Sequence, residues 1–402
     1  MGESLISGLG RGYTFLNTEL SLTGEMCSSA VYQQPERGKL NFRKIKKEIV
    51  LSSGLIFCLA ICLGACNPED PSWLDPVPST TPAGFSSPNQ LFSVYFTAPA
   101  SDDFRDGPDR LLAESVDEAR YQIDAALYDL NLWTIRNALI RAYKRGVVVR
   151  IVVEEDSSDR PEIQELISAG IPVISDQAEG LMHNKFIIID HTEVWTGSMN
   201  MTLNGAYRHL NNLVRIRSVL VAENYTAEFE EMYLEGFFGE IILENTPHPV
   251  ITIDSIQMET YFSPDDSTAE RIIELILEAE RSIDFMFYAF TSDPIADALI
   301  FQAGQGIVIR GVVDAYQESS GLGSEYDRLR DHNLEVLLDG HPEKMHHKVI
   351  ILDERIVVTG SYNLTHSAET KNDENTLVIH SEQVAEIYLR EFEWIFNEGK
   401  IR

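Results

Sequence analysis

Residues 183–200 and 346–363 carry one pattern twice, and that duplication constrains the chain more than any other feature. His183-Asn184-Lys185 is followed by four apolar residues, Asp190, six residues and Gly197-Ser198-Met199-Asn200. His346-His347-Lys348 is followed by Val349 to Leu352, Asp353, six residues and Gly360-Ser361-Tyr362-Asn363. Each marked residue of the second block lies 163 positions after its counterpart. Two blocks matched in this way predict two units of like fold, each offering the same side chains.

Both blocks lie in apolar, β-branched runs bounded by polar turns, which predicts strands. Residues at i and i+2 of a strand face one way, so His183 projects with Lys185 and His346 with Lys348. Asn184 and His347 then face the opposite layer. A turn at Asp190 to Glu193 leads into a second strand over Val194 to Asn200, which places Ser198 and Asn200 on one face. Imidazole, ammonium, hydroxyl and amide converging on one spot suit a tetrahedral phosphate. Lysine neutralises an oxyanion, Ser198, Asn200, Ser361 and Asn363 donate hydrogen bonds, and histidine moves a proton or attacks phosphorus.

The pattern H-x-K-x4-D-x6-G-S-x-N, present twice, resembles the phospholipase D superfamily. The likeness runs over about three quarters of the chain, from roughly Leu91 to the C-terminus. It includes Tyr95-Phe96-Thr97 against Tyr261-Phe262-Ser263, Ile123-Asp124 with Leu127-Tyr128 against Ile283-Asp284 with Phe287-Tyr288, and Val147 to Arg150 against Ile307 to Arg310. The implied fold is α/β: two tandem units, 91–245 and 255–402, each a sheet flanked by helices and packed as a pseudo-dimer around one shared site. Met286, Phe287, Tyr288 and Phe290 read as core. His191, His209, His332, His366 and His380 read as turn or surface residues, and His341 as a residue of the cleft.

The resemblance also implies roles. His183 is the nucleophile that forms a phosphohistidine, His346 the general acid and then base, and Lys185, Lys348 and Glu374 complete the catalytic set. The family places an orienting acid or amide behind each histidine. Glu374 lies 28 residues after His346 and Asn211 lies 28 after His183, so Glu374 is expected behind His346 and Asn211 behind His183. The reverse assignment of nucleophile and acid stays open, because a carboxylate also strengthens a nucleophile. No metal and no cofactor are expected: two lysines supply the charge of a divalent cation, and no cysteine cluster of zinc-ligand type follows residue 66. Asp190 and Asp353 begin turns and read as structural.

The front of the chain reads as an address. Arg43, Lys44, Lys46 and Lys47 precede an apolar run from Ile49 to Ala65, and Leu63-Gly64-Ala65-Cys66 resembles a bacterial lipobox in which Cys66 is lipidated. An uncleaved anchor is the other reading of residues 43–66. The four cysteines, Cys27, Cys58, Cys62 and Cys66, all lie at or before that point. Residues 67–90 form a Pro/Ser-rich tether. Residues 1–42 are either an extra leader or the product of a start assigned too far upstream.

The chain carries a net charge of −31. Residues 1–66 hold seven Lys/Arg and five Asp/Glu, a net of +2, leaving about −33 for the remainder. A surface of that sign opposes the extended phosphate contacts of a processive nuclease. The expected substrate is a phospholipid or another phosphodiester, acted on by a monomer that carries both motifs and is held at a bacterial membrane, on its periplasmic face or at the cell surface. An exported nuclease of the same superfamily and a non-catalytic binding lipoprotein are the alternatives.

Overall fold

The longest apolar runs become the central strands of two sheets. Lys185–Ile189 and Lys348–Leu352 are buried along their whole lengths, because helices cover both faces of the sheets they belong to. The structure is a computed structural model that describes residues 84–99, 104, 107–241, 243–320 and 323–401, all within one compact unit. The proposed leader, signal segment with Cys66, and most of the tether lie outside the described residues.

The first sheet comprises β1 (Gly84–Ser86), β2 (Phe92–Phe96), β3 (Gln122–Leu127), β4 (Val148–Val153), β5 (Val173–Ser175), β6 (Lys185–Ile189), β7 (Glu193–Gly197) and β8 (Asn212–Arg217). The second comprises β9 (Val250–Ile253), β10 (Ile256–Ser263), β11 (Ser282–Phe287), β12 (Val308–Val313), β13 (Glu335–Leu338), β14 (Lys348–Leu352), β15 (Ile356–Gly360) and β16 (Glu374–His380). Their orders are β5-β4-β3-β6-β7-β8-β2-β1 and β13-β12-β11-β14-β15-β16-β10-β9, which match strand for strand. β3, β4 and β5 run parallel, as do β11, β12 and β13, and the connections between them are helical. The chain is thus α/β, with two tandem units of one topology.

Each sheet has an outer and an inner face. Helices Asp109–Glu118, Trp133–Lys144 and Pro161–Ser168 bury Leu112, Val116, Ile135, Leu139, Ile163 and Leu166 on the outside of the first sheet. Thr268–Glu278 and Asp293–Gly304 do the same for the second through Ile272, Ile276, Ile295 and Leu299. The inner faces share one core. Phe186, Val214, Tyr225 and Phe229 of the first unit join Phe262, Val349, Leu377, Tyr388 and Phe392 of the second. Helices Val219–Glu230 and Glu382–Ile401 supply the aromatic part of that layer. Burying such a surface is the main force holding the units together.

An ion pair marks the duplication inside each half. Arg150 bonds Asp124 and Glu230 and lies over Phe229, while Arg310 bonds Asp284 and Glu393 and lies over Phe392. Each guanidinium therefore ties a strand to the inner helix of its own unit.

The second strand of each motif is shorter than expected. It ends at Gly197 or Gly360, at φ 142° and 157°, where a Cβ would stand 2.5 Å from the Asn212 carbonyl oxygen or 2.1 Å from that of Asn375. Only glycine fits, and the chain turns out of the sheet there. Ser198 and Asn200 are consequently not alternate residues of one strand.

Candidate active site

Two backbone crossings place the motifs in one cleft. The amide of His183 donates to the Asp373 carbonyl at 3.0 Å, and Asp373 returns a bond to Leu181 at 2.9 Å. In the other direction, His346 donates to Leu210 at 2.9 Å and Leu210 to Lys344 at 2.9 Å. The segment entering each H-x-K strand is thus paired with the segment entering the last strand of the opposite unit.

This exchange reverses the expected partners. Glu374 opens β16 and follows Asp373, so its carboxylate reaches His183, with Nδ1 at 2.7 and 2.8 Å from its two oxygens. Asn211 follows Leu210, and its Oδ1 lies 2.9 Å from Nδ1 of His346. Glu374 therefore stands behind His183, and Asn211 behind His346, each across the unit boundary. The tautomers follow. The Asn211 amide donates to the Gly205 carbonyl at 2.9 Å, which leaves Oδ1 to accept from His346. The Ser198 carbonyl, 3.1 Å from the same nitrogen, is a second acceptor. Both imidazoles thus carry hydrogen on Nδ1 and turn Nε2 to the cleft.

The motif serines support these partners. Ser198 Oγ donates to Asn211 Oδ1 at 2.9 Å and accepts the Asn212 amide at 3.1 Å. Ser361 Oγ donates to Glu374 Oε2 at 2.6 Å and accepts the Asn375 amide at 3.0 Å. Both are fully buried with their hydroxyl protons already engaged. The expectation that Ser198 and Ser361 bind phosphate is corrected: they brace the residues that orient the histidines. Asn200 and Asn363 differ, since Oδ1 of each is buried without a partner, and their amides remain suited to a ligand.

Lys185 and Lys348 are buried, and each donates to the carbonyl of its own motif histidine. Lys348 Nζ also lies 3.3 Å from Nε2 of His346. Tyr128 and Tyr288 cover the pairs. Their rings stand 4.7 and 4.8 Å from the rings of His183 and His346, and 4.8 and 5.2 Å from the two ammonium groups. Tyr288 read as core in the sequence, yet it faces the site. His209 read as a surface residue, yet its ring centroid is 6.1 Å from that of His346. The repeat alignment pairs the two tyrosines, and that was the available signal for them.

Asp190 accepts three backbone amides, from Arg120, Tyr121 and Gln122, and Asp353 those of Glu280, Arg281 and Ser282. Both sit at positive φ, 52° and 53°, where aspartate is among the better tolerated residues. They fix the turn between the motif strands, far from the histidines in register. Asn184 donates to Glu228, and His347 packs against Phe96 and Glu391, both on the sheet face opposite the lysines.

Charge is concentrated in this cleft. Burial pushes His183 down to about 4, with Glu374 opposing and Lys185 adding to the fall. Burial pushes Lys185 down to about 7, against the carboxylates of Glu374, Glu154 and Asp129. His346 and Lys348 are driven well below their ordinary values by burial first, then by Lys348 and Lys185 respectively. Of the carboxylates around these four basic groups, Glu374 is hydrogen-bonded to His183, while Glu154, Asp129 and Asp314 act on the lysines from further off, so a bound monoanion would help restore their protons. The arrangement can hold a phosphodiester between two imidazole Nε2 atoms, with an ammonium and an amide from each side on its oxygens.

A protein-family model described as cardiolipin synthase, PLD-like domain, matches residues 112–233 and 272–396. The two matches cover more than half the chain and coincide with the two units. The chain belongs to this family of the phospholipase D superfamily. Among curated relatives, it is 32% identical over 133 residues to the mitochondrial cardiolipin hydrolase of Homo sapiens, covering 33% of this chain and 52% of that protein. It is 30% identical over 177 residues to a phospholipase D of Rickettsia bellii, covering 42% of this chain and 85% of that one. The chain spans about half the length of the human relative. A phosphatidylserine synthase from Haemophilus influenzae Rd KW20 shares the fold over 77% of this chain and 87% of its own, at a TM-score of 0.59 and 14% identity.

Proposed function

We propose that the protein is a phospholipase D-type phosphodiesterase that hydrolyses or transfers a phosphatidyl group, and that Cys66 anchors it by lipid to a bacterial membrane. The observation that carries the reading is the buried His183–Glu374 pair, 2.7 Å apart, facing His346 in one cleft with two lysines. The relatives named for cardiolipin hydrolysis and phospholipase D activity support a lipid substrate.

His183 is the nucleophile. Its Nε2 lone pair attacks phosphorus opposite the leaving oxygen, the phosphorus–oxygen bond breaks, and His346 Nε2 delivers a proton to that oxygen. The phosphorylated imidazole of His183 becomes cationic, and Glu374 at its Nδ1 stabilises that charge. Asn211 is neutral, so His346 holds its proton less tightly and is the stronger acid. Water, or a second alcohol, then gives a proton to His346 and attacks phosphorus, and the phosphorus–nitrogen bond breaks to restore His183. Lys185 and Lys348 neutralise the non-bridging oxygens throughout. The role given to His183 thus rests on the carboxylate strengthening a nucleophile.

The test is incubation of the purified protein with phosphatidylcholine, phosphatidylglycerol, cardiolipin and single-stranded DNA, in excess chelator. Release of phosphatidic acid, or of a phosphatidyl-alcohol when a primary alcohol is added, is the expected outcome. Cleavage of DNA with no turnover of any lipid would instead favour the nuclease alternative.

A further inference from the structure

Duplication makes the two sides of the cleft comparable position by position, and their charges differ. Beside His346 lies a cavity of about 570 Å³ lined by His209, Tyr316, His341 and Lys344. The repeat counterparts of these residues, on the His183 side, are Asn372, Asp156, Ala178 and Leu181. A lysine and two imidazoles therefore line one side, where the other has an amide, a methyl and a leucine. Two acids on the His183 side, Asp129 and Asp156, stand where the other side has Ala289 and Tyr316, while Glu154 is matched by Asp314, each accepting the amide before its motif histidine. Glu154 and Asp156 act on Tyr128 with Asp129, raising its hydroxyl after burial itself, whereas Lys344, His341 and Arg208 add to the burial that lowers His209 to about 4.

The carboxylates within the cavity are already engaged. Asp339 accepts the amides of Ala315 and His341 at 2.7 and 3.1 Å. Glu343 faces Arg208 at 3.6 Å. Lys344 has no carboxylate partner among the described residues. Its Nζ lies 5.2 Å above the Tyr288 ring and 5.9 Å from that of Tyr316, which holds it at the mouth of the site, two residues before His346. In a chain of net charge −31, a lysine with no carboxylate partner among the described residues, flanked by two histidines, makes this side of the cleft the more favourable one for an anionic group.

We infer that the cavity beside His346 receives the leaving alcohol, and that this alcohol carries a second phosphate. The inference rests on the proposed function, in which His346 protonates the leaving oxygen. In-line attack by His183 puts that oxygen, and whatever is attached to it, on the His346 side. A leaving group that is itself a phosphate ester would meet Lys344 and His341 there, while the acids near Tyr128 would repel the same charge. Binding in the reverse sense is thereby disfavoured, and Lys344 becomes the residue that selects an anionic over a neutral or cationic leaving alcohol.

The experiment presents full-length protein with neutral detergent micelles holding equal mole fractions of cardiolipin, phosphatidylglycerol or phosphatidylcholine. Their leaving alcohols are anionic, neutral and cationic in turn. Soluble bis(4-nitrophenyl) phosphate reports the chemistry alone. The wild type should favour cardiolipin over phosphatidylcholine in kcat/KM by about tenfold or more, the effect of one charge-assisted contact. Lys344→Glu should lower the ratio of cardiolipin to bis(4-nitrophenyl) phosphate turnover by about the same factor, and Lys344→Arg should keep it. Equal loss on every substrate in Lys344→Glu, or phosphatidylcholine cleaved as fast as cardiolipin by wild type, would overturn the inference. If single-stranded DNA is cut and no lipid is, the lipid reading fails. The second phosphate is then judged by the same Lys344→Glu ratio, taken between DNA and the nitrophenyl diester.

Discussion

Glu374 and His183 are 191 positions apart and belong to different units, yet their side chains meet at 2.7 Å in the buried centre of the molecule. Neither unit alone contains both His183 and Glu374, or both His346 and Asn211, so each cleft histidine takes its orienting partner from the other unit. The catalytic claim and the pairing of the units are therefore one claim, and each can be probed through the other.

Removing the charge of this positioning residue should slow the reaction without removing the fold. Glu374→Gln keeps the shape but removes the charge that stabilises the phosphorylated imidazole, so kcat should fall between about 10²- and 10⁴-fold, the range seen when a histidine-orienting carboxylate is neutralised. Steady-state kinetics on a soluble diester checks this. The acid limb of the pH profile should also move, which a residue of purely structural importance would not cause.

The pH dependence of kcat/KM reports groups of the free protein. His183, held down to about 4, must be neutral to attack, so activity should rise through an acid limb near that value. His346, driven well below its ordinary value by burial, must be protonated to act as the acid, and Lys185, held down to about 7, must be charged to bind phosphate, so activity should fall as pH rises through both groups, with the alkaline limb complete near pH 7. Lys185→Arg, whose guanidinium stays charged, should reduce the alkaline limb to the single ionisation of His346, at some cost in rate. Rate profiles from pH 3 to 10 on both proteins check the assignment.

A second cluster should set the stability profile. Glu228, Glu231 and Asp265 are buried within reach of one another between the two units, and burial raises all three: Glu231 to about 7, Asp265 to about 6 and Glu228 well above its ordinary value. Their folded values lie above their unfolded ones, so their contribution is complete below about pH 4 and is lost as pH rises through the folded values. Melting temperature should therefore drop by about 2–5 °C between pH 5 and pH 8. Glu231→Gln should flatten that part of the curve. Calorimetry across the pH range provides the comparison.

The anchor is testable apart from the chemistry. Cys66→Ala should block lipidation and move the protein from the detergent phase to the aqueous or secreted fraction, with the turnover of a soluble diester unchanged. Phase partitioning and intact mass measure it. Recovery of wild-type protein that still holds residues 49–65 and carries no lipid would remove this proposal.

Much of the architecture was legible because duplication repeats every signal. The apolar runs of β6 and β14, the turns at Asp190 and Asp353, and the outer helices with Ile272 and Ile276 on one face each appear in a form the other unit supports. Details that depend on how the units meet were not legible. Glu374 lies 28 residues after His346 just as Asn211 does after His183, and nothing in that spacing reveals the exchange made by the Leu181–Asp373 and Leu210–Lys344 backbone bonds. Ser198 and Ser361 were misplaced for a local reason: the positive φ of Gly197 and Gly360 ends the strand before the serine, three residues earlier than expected, and each hydroxyl turns inward. His209 escaped notice because its counterpart is Asn372, so the repeat gave it no support.

The most direct test locates the covalent intermediate. His346→Asn keeps the nucleophile and removes the proton donor, so a diester with a good leaving group, such as bis(4-nitrophenyl) phosphate, should release one equivalent of nitrophenol in a burst and then stall. Rapid denaturation at alkaline pH, which spares the phosphorus–nitrogen bond, followed by peptide mass spectrometry should find the nitrophenylphosphoryl group on His183. His183→Ala should give neither burst nor adduct. An adduct on His346 in active wild-type protein would reverse the roles. Wild-type turnover in the double variant His183→Ala/His346→Ala would contradict the site itself.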